Sequence, residues 1–290
     1  MTENIYVKKR KRRRRVAVLG SVSLIGVTIL SLVAFLGRFV GQFTVSLNSG
    51  DVSLSLATKA DFSDSTTYLK IGDIPKFEAS TYSSLPMDNK AAFTSSKLDS
   101  EDTDYLYGAN RDSDNNVVSL DYFKYTFYLK NTGATVADYT FSVSLLDQIR
   151  SSSGKSILDA IRVMLFETDV TEDSTSPSIT SGKIYAEKSK TTKTIAEDGR
   201  NTNQEYISVS LSQASDSFPC YGFAENFVSE DTAISYQVHN FAKGNIKRYT
   251  LVTWIEGFDP DIDGVSASDF MNSSVKIGVR IDATQSEQIQ

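Results

Sequence analysis

The amino-acid sequence predicts an all-β fold, an antiparallel sandwich with long insertions, placed behind one N-terminal transmembrane helix. Three observations carry that expectation. About ten short segments after residue 40 alternate apolar and polar residues at period two, which suits strands with one buried face. Long amphipathic patterns at the helical period are nearly absent from the same stretch. Finally, 22 uncharged and mostly apolar residues, Val16 to Gly37, directly follow eight consecutive basic ones: Lys8, Lys9, Arg10, Lys11, Arg12, Arg13, Arg14 and Arg15.

In chain order, residues 1–15 form a basic tail and residues 16–37 a signal-anchor helix. At 1.5 Å per residue the apolar run spans about 33 Å, enough for a hydrocarbon core of about 30 Å. Basic residues resist translocation, so the tail is expected in the cytoplasm and everything after about residue 40 outside. The run is longer than the core of a cleavable signal and ends in Leu36, Gly37, Arg38 and Phe39 rather than a small-x-small site, so retention as an anchor is expected. Attraction of the octet to anionic headgroups is compatible with this role, which makes membrane lipid the first expected partner.

Residues 43–290 are read as one exported sandwich. It opens with Phe43, Val45 and Leu47, a turn at 48–51, then Val52, Leu54 and Leu56. The clearest strands follow: Phe123, Tyr125, Phe127 and Leu129 alternate with Lys124, Thr126, Tyr128 and Lys130, and after Asn131, Thr132 and Gly133 a second strand alternates through Tyr139, Phe141, Val143 and Leu145. Further strands are expected at Ile161 to Phe166, Lys183 to Ala186, Tyr206 to Leu211, Thr232 to Val238, Arg248 to Glu256 and Val275 to Ala283, with a short helix near Ser156 to Ala160. Residues 57–120 and 167–205 lack sustained periodicity and read as insertions.

Charge and composition narrow the function. Beyond residue 38 the chain holds 21 Lys and Arg against 35 Asp and Glu, about −14, which argues against a nucleic-acid-binding face. A single cysteine, Cys220, permits no internal disulfide, which suits a bacterial envelope better than a eukaryotic ectodomain. Enzyme chemistry finds little to build on. His239 is the one histidine, in a strand-end setting, and no HExxH helix exists to hold zinc. Cys220 sits among Phe218, Pro219 and Tyr221 as a buried thiol would, and the Ser152-x-x-Lys155 spacing lies in a Ser- and Gly-rich loop rather than on a helix. The expectation is a non-enzyme that requires no cofactor.

One metal site merits naming. Asp259, Asp261 and Asp263 precede Gly264 in the D-x-D-x-D-G order of a calcium loop, where alternate carboxylates converge on a hard cation. The acid expected at the twelfth position is Phe270, with Asp269 one place early, so a solvated acidic loop is the plainer reading and Ca2+ the sharper one. Tyr122 and Tyr128 share a strand side opposite Phe123 and Phe127. Were that side exposed, it would offer a sugar-binding surface.

The segment from Tyr122 to Leu146, YFKYTFYLKNTGATVADYTFSVSLL, resembles the strand-NTG-strand segment of the TasA and camelysin family of secreted bacterial surface and biofilm-matrix proteins. The order of elements is similar too: an opening strand, turn and Leu-rich strand at Phe43 to Leu56, and at the end LVTWIEGFDPDIDG followed by VKIGVRIDATQ. The resemblance covers about 240 residues. It implies a jelly-roll-like sandwich and assembly into extracellular fibres or matrix. The basic tail and anchor depart from that family, and the metallopeptidase activity ascribed to camelysin does not carry over to a chain with one histidine.

The expected function is therefore a single-pass, membrane-anchored structural or interaction protein of a bacterial cell surface, associating with itself or with a surface polymer. Strand addition by Phe43, Val45 and Leu47 to a neighbour is the expected mode. The alternative is an envelope-attached carbohydrate- or peptidoglycan-binding module.

Overall fold

The computed structural model describes residues 40–49, 52–72, 74, 77, 79–80, 85, 108–149, 157–170, 179–187, 224–256 and 274–286. The basic tail, the apolar run 16–37, Tyr206 to Leu211 and Cys220 lie outside them. Among the described residues the chain is almost entirely strand: β1 (Val40–Asn48), β2 (Leu54–Ala57), β3 (Tyr68–Gly72), β4 (Ala79–Ser80), β5 (Gly108–Arg111), β6 (Val117–Asn131), β7 (Ala137–Ile149), β8 (Ile161–Val170), β9 (Ile179–Ala186), β10 (Glu225–Asn226), β11 (Thr232–Phe241), β12 (Ile246–Glu256) and β13 (Ser274–Gln285). A 3-10 turn at Ile157–Ala160 stands where a short helix was expected.

Two sheets result. The smaller runs β11-β7-β13-β1-β3, and the larger runs β10-β9-β8-β12-β6-β2, with β4 on β12 and β5 on β6. Phe43 on β1 packs against Phe123 and Tyr125 on β6, ring centroids 5.2 and 4.9 Å apart, and Phe141 on β7 stacks on Tyr249 of β12 at 4.5 Å. These contacts join one sheet to the other, as in a sandwich. The period-two residues named from the sequence form this shared core: Phe123 to Leu129 on β6, Tyr139 to Leu145 on β7, and Val275 to Ala283 on β13.

The sheets are mixed rather than antiparallel. β1 pairs parallel with β13, from Phe43 opposite Ile277 to Asn48 opposite Asp282, because the first and last described strands lie side by side. β9 with β10 and β12 with β4 are also parallel. The stretch read as the 57–120 insertion supplies β3 to the small sheet and β4 and β5 to the large one, while β9, inside 167–205, forms a hairpin with β8. β4 and β5 are too short to show alternation in the sequence, whereas β9 contains the strand expected at Lys183 to Ala186.

The large sheet is buried on both faces. Its outer side carries a second apolar cluster that includes Tyr122, Met164, Phe166, Ile184, Val252 and Trp254. Lys124, Arg162, Arg248 and Glu256 are buried on the same side, and the Trp254 indole N–H donates to Glu256 at 3.1 Å.

Candidate functional site

Three of the turns that carry the chain from one sheet to the other, β1 to β2, β6 to β7 and β11 to β12, meet at one end of the sandwich. The meeting point is Asn131, fully buried at the end of β6. Its side-chain amide donates to the Thr135 carbonyl at 2.9 Å and to the Phe241 carbonyl at 2.8 Å, and its Oδ1 accepts from the Gly133 N–H at 2.9 Å. Thr132 and Gly133 both donate backbone N–H to the Ser53 carbonyl at 2.9 Å. A Cβ on Gly133 would stand 3.2 Å from the Ser53 nitrogen, so the close approach of the two corners favours glycine. Asn-Thr-Gly is thus a knot between three corners, and each of its residues has a separate hydrogen-bonding or steric task.

Beside this knot a polar network crosses the space between the sheets. The hydroxyls of Tyr139 on β7 and Tyr249 on β12 lie 2.6 Å apart, and Tyr236 on β11 donates to Glu167 on β8 at 2.8 Å. Lys247 on β12 donates to Glu167 at 2.5 Å and to Asp169 at 2.8 Å. Burial pushes the phenols of Tyr139, Tyr236 and Tyr249 above their ordinary range, and for Tyr236 the Glu167 charge adds to it. For Lys247 burial opposes the charge, but its bonds to Asp169 and Glu167 outweigh burial and hold its pKa above the usual value. The phenols stay protonated and the amine stays charged. Such a set ties the two sheets together through polar groups that are committed to one another.

Glu167 and Lys247 had a signal in the sequence. They continue the inward phase of Ile161, Val163 and Leu165 on β8 and of Tyr249 and Leu251 on β12, so charges stand on an apolar phase at strand ends. Charged groups there call for partners.

The remaining sequence-derived candidates are dispersed. His239 is exposed near the end of β11, its Nδ1 3.1 Å from Asp138, whose carboxylate also accepts the Asn240 N–H at 2.9 Å. The Asn240 bond first, then His239, lowers the Asp138 pKa. Tyr122 and Tyr128 are 6 % and 1 % exposed, so the aromatic surface that a sugar-binding reading requires is not formed by them. Lys8 to Arg15 and the acidic loop residues Asp259, Asp261, Asp263 and Asp269 lie outside the described residues. Among those described, no three His, Cys, Asp or Glu side chains come together as a metal site, and no helix is long and apolar enough to cross a membrane.

Phe43, Val45 and Leu47 sit on β1, held by β13 on one side and β3 on the other. The strand expected to be available to a neighbour is therefore interior within its own chain, with Phe43 and Val45 fully buried. Adding it to a neighbour requires both ladders to open. No family model matches this chain. Nor is any curated protein significantly similar to it.

Proposed function

We propose that this protein is a structural and interaction protein of a bacterial cell surface, a jelly-roll-like sandwich tethered by an N-terminal helix and associating with its own copies by strand addition. The observation that carries this reading is the closeness of the first strand to the apolar run. Val16 to Gly37 ends three residues before β1 begins at Val40. A retained helix then holds the sandwich against the outer leaflet with almost no stalk, where lateral neighbours are the partners within reach. The internal use of Tyr139, Tyr236, Tyr249, Glu167 and Lys247 supports a structural rather than a catalytic role. The resemblance of Tyr122 to Leu146 to matrix proteins points the same way.

N-terminal sequencing of the protein recovered from the cell surface tests the tether. Retention of Lys8 to Arg15 is expected, and a mature chain beginning after Gly37 overturns the anchored reading. Calcium at Asp259, Asp261, Asp263 and Asp269 belongs to the same proposal, since Glu256 and Ser274, which flank that loop, lie at the end of the sandwich where β1 begins. The full-length protein should melt higher in millimolar Ca2+, and Asp261→Ala should abolish the shift. An unchanged melt removes the ion.

A further inference from the structure

The five-stranded sheet ends in two strands, β3 and β11, that have no strand partner on their far sides among the described residues. Both strands turn an exposed phase to the outer face of the sheet: Tyr68 is 51 % exposed and Lys70 is exposed on β3, and Ser235, Gln237 and His239 are exposed on β11. Natural edge strands are usually blunted by charge, proline or bulges. β11 contains no Asp, Glu, Lys, Arg or Pro in its ten residues, and its register shifts fall at its two ends, which leaves Ile234 to Val238 regular. β3 is five residues long, the same length as that regular run.

The two edges also match in direction and in what they leave uncovered. β3 is antiparallel to β1, β1 is parallel to β13, β13 is antiparallel to β7, and β7 is antiparallel to β11. β3 and β11 therefore run in opposite senses, and stacking a second copy along the sheet brings them together as an antiparallel pair. On the inward side, Leu69 and Ile71 of β3 and Tyr236 and Val238 of β11 pack against the core but stay only partly buried. Joining the edges side by side would cover both pairs at once.

We infer that β3 of one copy adds to β11 of the next, so that the small sheets of successive chains form one continuous sheet. This rests on the proposed self-association and names its partner surface, a second copy of this chain. The contact is head-to-tail, so it extends from copy to copy beyond a dimer. β3 against β3 would set Lys70 beside Lys70, whereas β11 offers Lys70 an uncharged strand.

Two inward-facing charges separate this arrangement from others: Val238→Lys blocks the β11 edge and Leu69→Lys blocks the β3 edge. Full-length wild-type protein in detergent, followed by size-exclusion chromatography with light scattering, should form a concentration-dependent series of oligomers. Each variant alone should be monomeric, and an equimolar mixture should give dimers and nothing larger, because one intact β3 and one intact β11 remain; dimers also show that both variants are folded. Homodimers of either variant overturn the head-to-tail contact in favour of a two-fold one. Variants that assemble like wild type, or a mixture that stays monomeric while both variants keep a cooperative melt, overturn it as well. A wild-type chain that is monomeric at every concentration defeats self-association itself, and with it this contact.

Discussion

Asn131 is buried with both amide hydrogens and its carbonyl oxygen committed to backbone groups on two different turns. Asn131→Ala leaves those groups without partners inside the fold, a cost on the order of 1–3 kcal/mol. Chemical denaturation of the variant should show the loss, and a midpoint equal to wild type would refute the pinning role. Tyr139 and Tyr249 form the corresponding link between sheets. Their single Phe variants should each destabilise by about 1 kcal/mol, while the double variant costs less than the sum because both hydroxyls are removed together. A strictly additive double-mutant cycle would mean that the bond contributes nothing. At this scale the sequence revealed residue types but not partners. Asn131 was legible as a turn residue, whereas its bond to Phe241, 110 positions away, depends on two corners meeting in space.

Strand β1 shows how context decides an element's role. Its alternation identified a strand, and its position at the start of the exported part suggested one free to leave. The ladder with β13 and the ladder with β3 make it interior instead. A full-length chain lacking residues 43–47 is therefore expected to lose its cooperative melt, because Phe43 and Val45 leave the core and two ladders lose their shared strand; a deletion variant that melts like wild type would show the strand to be dispensable. Long strands were legible because they hold enough residues for an inward apolar phase to repeat, as Tyr139, Phe141, Val143 and Leu145 do on β7. β6 carries Phe123, Tyr125 and Phe127 inward, and its other phase, Tyr122, Lys124, Thr126 and Tyr128, is buried too. Short strands such as β4 and β5 were not legible, since two to four residues hold too few periods for a pattern, and their place is set by β12 and β6.

For the molecule as a whole, the two ends of the pH scale act on different groups. Burial holds Tyr125 up to about 12, and Tyr139, Tyr185, Tyr236 and Tyr249 are raised by the same cause. In the unfolded chain these phenols ionise near pH 10. Their contribution is fully present below that value and is lost as pH rises toward the folded values, and Lys247, also raised, adds in the same direction. Asp138 and Asp282 are lowered, by hydrogen bonds from Asn240 and from Arg280 respectively. Their contribution is present above about pH 4 and fades as pH falls through the folded values. Urea midpoints should thus form a plateau from about pH 5 to 9 and drop on both sides. A midpoint higher at pH 11 than at pH 8 would contradict the burial of the tyrosines.

The parallel pairing of the first and last described strands has a mechanical consequence. β1 enters at Val40 beside Val275, and β13 leaves at Gln285, beyond the level of Asn48, which pairs with Asp282. The two chain ends therefore depart from opposite ends of one ladder, and tension between them slides β1 along β13 instead of peeling it away. The rungs from Phe43–Ile277 to Asn48–Asp282 then resist together. A sandwich fixed at its first strand and tugged at its last would transmit load through its strongest direction.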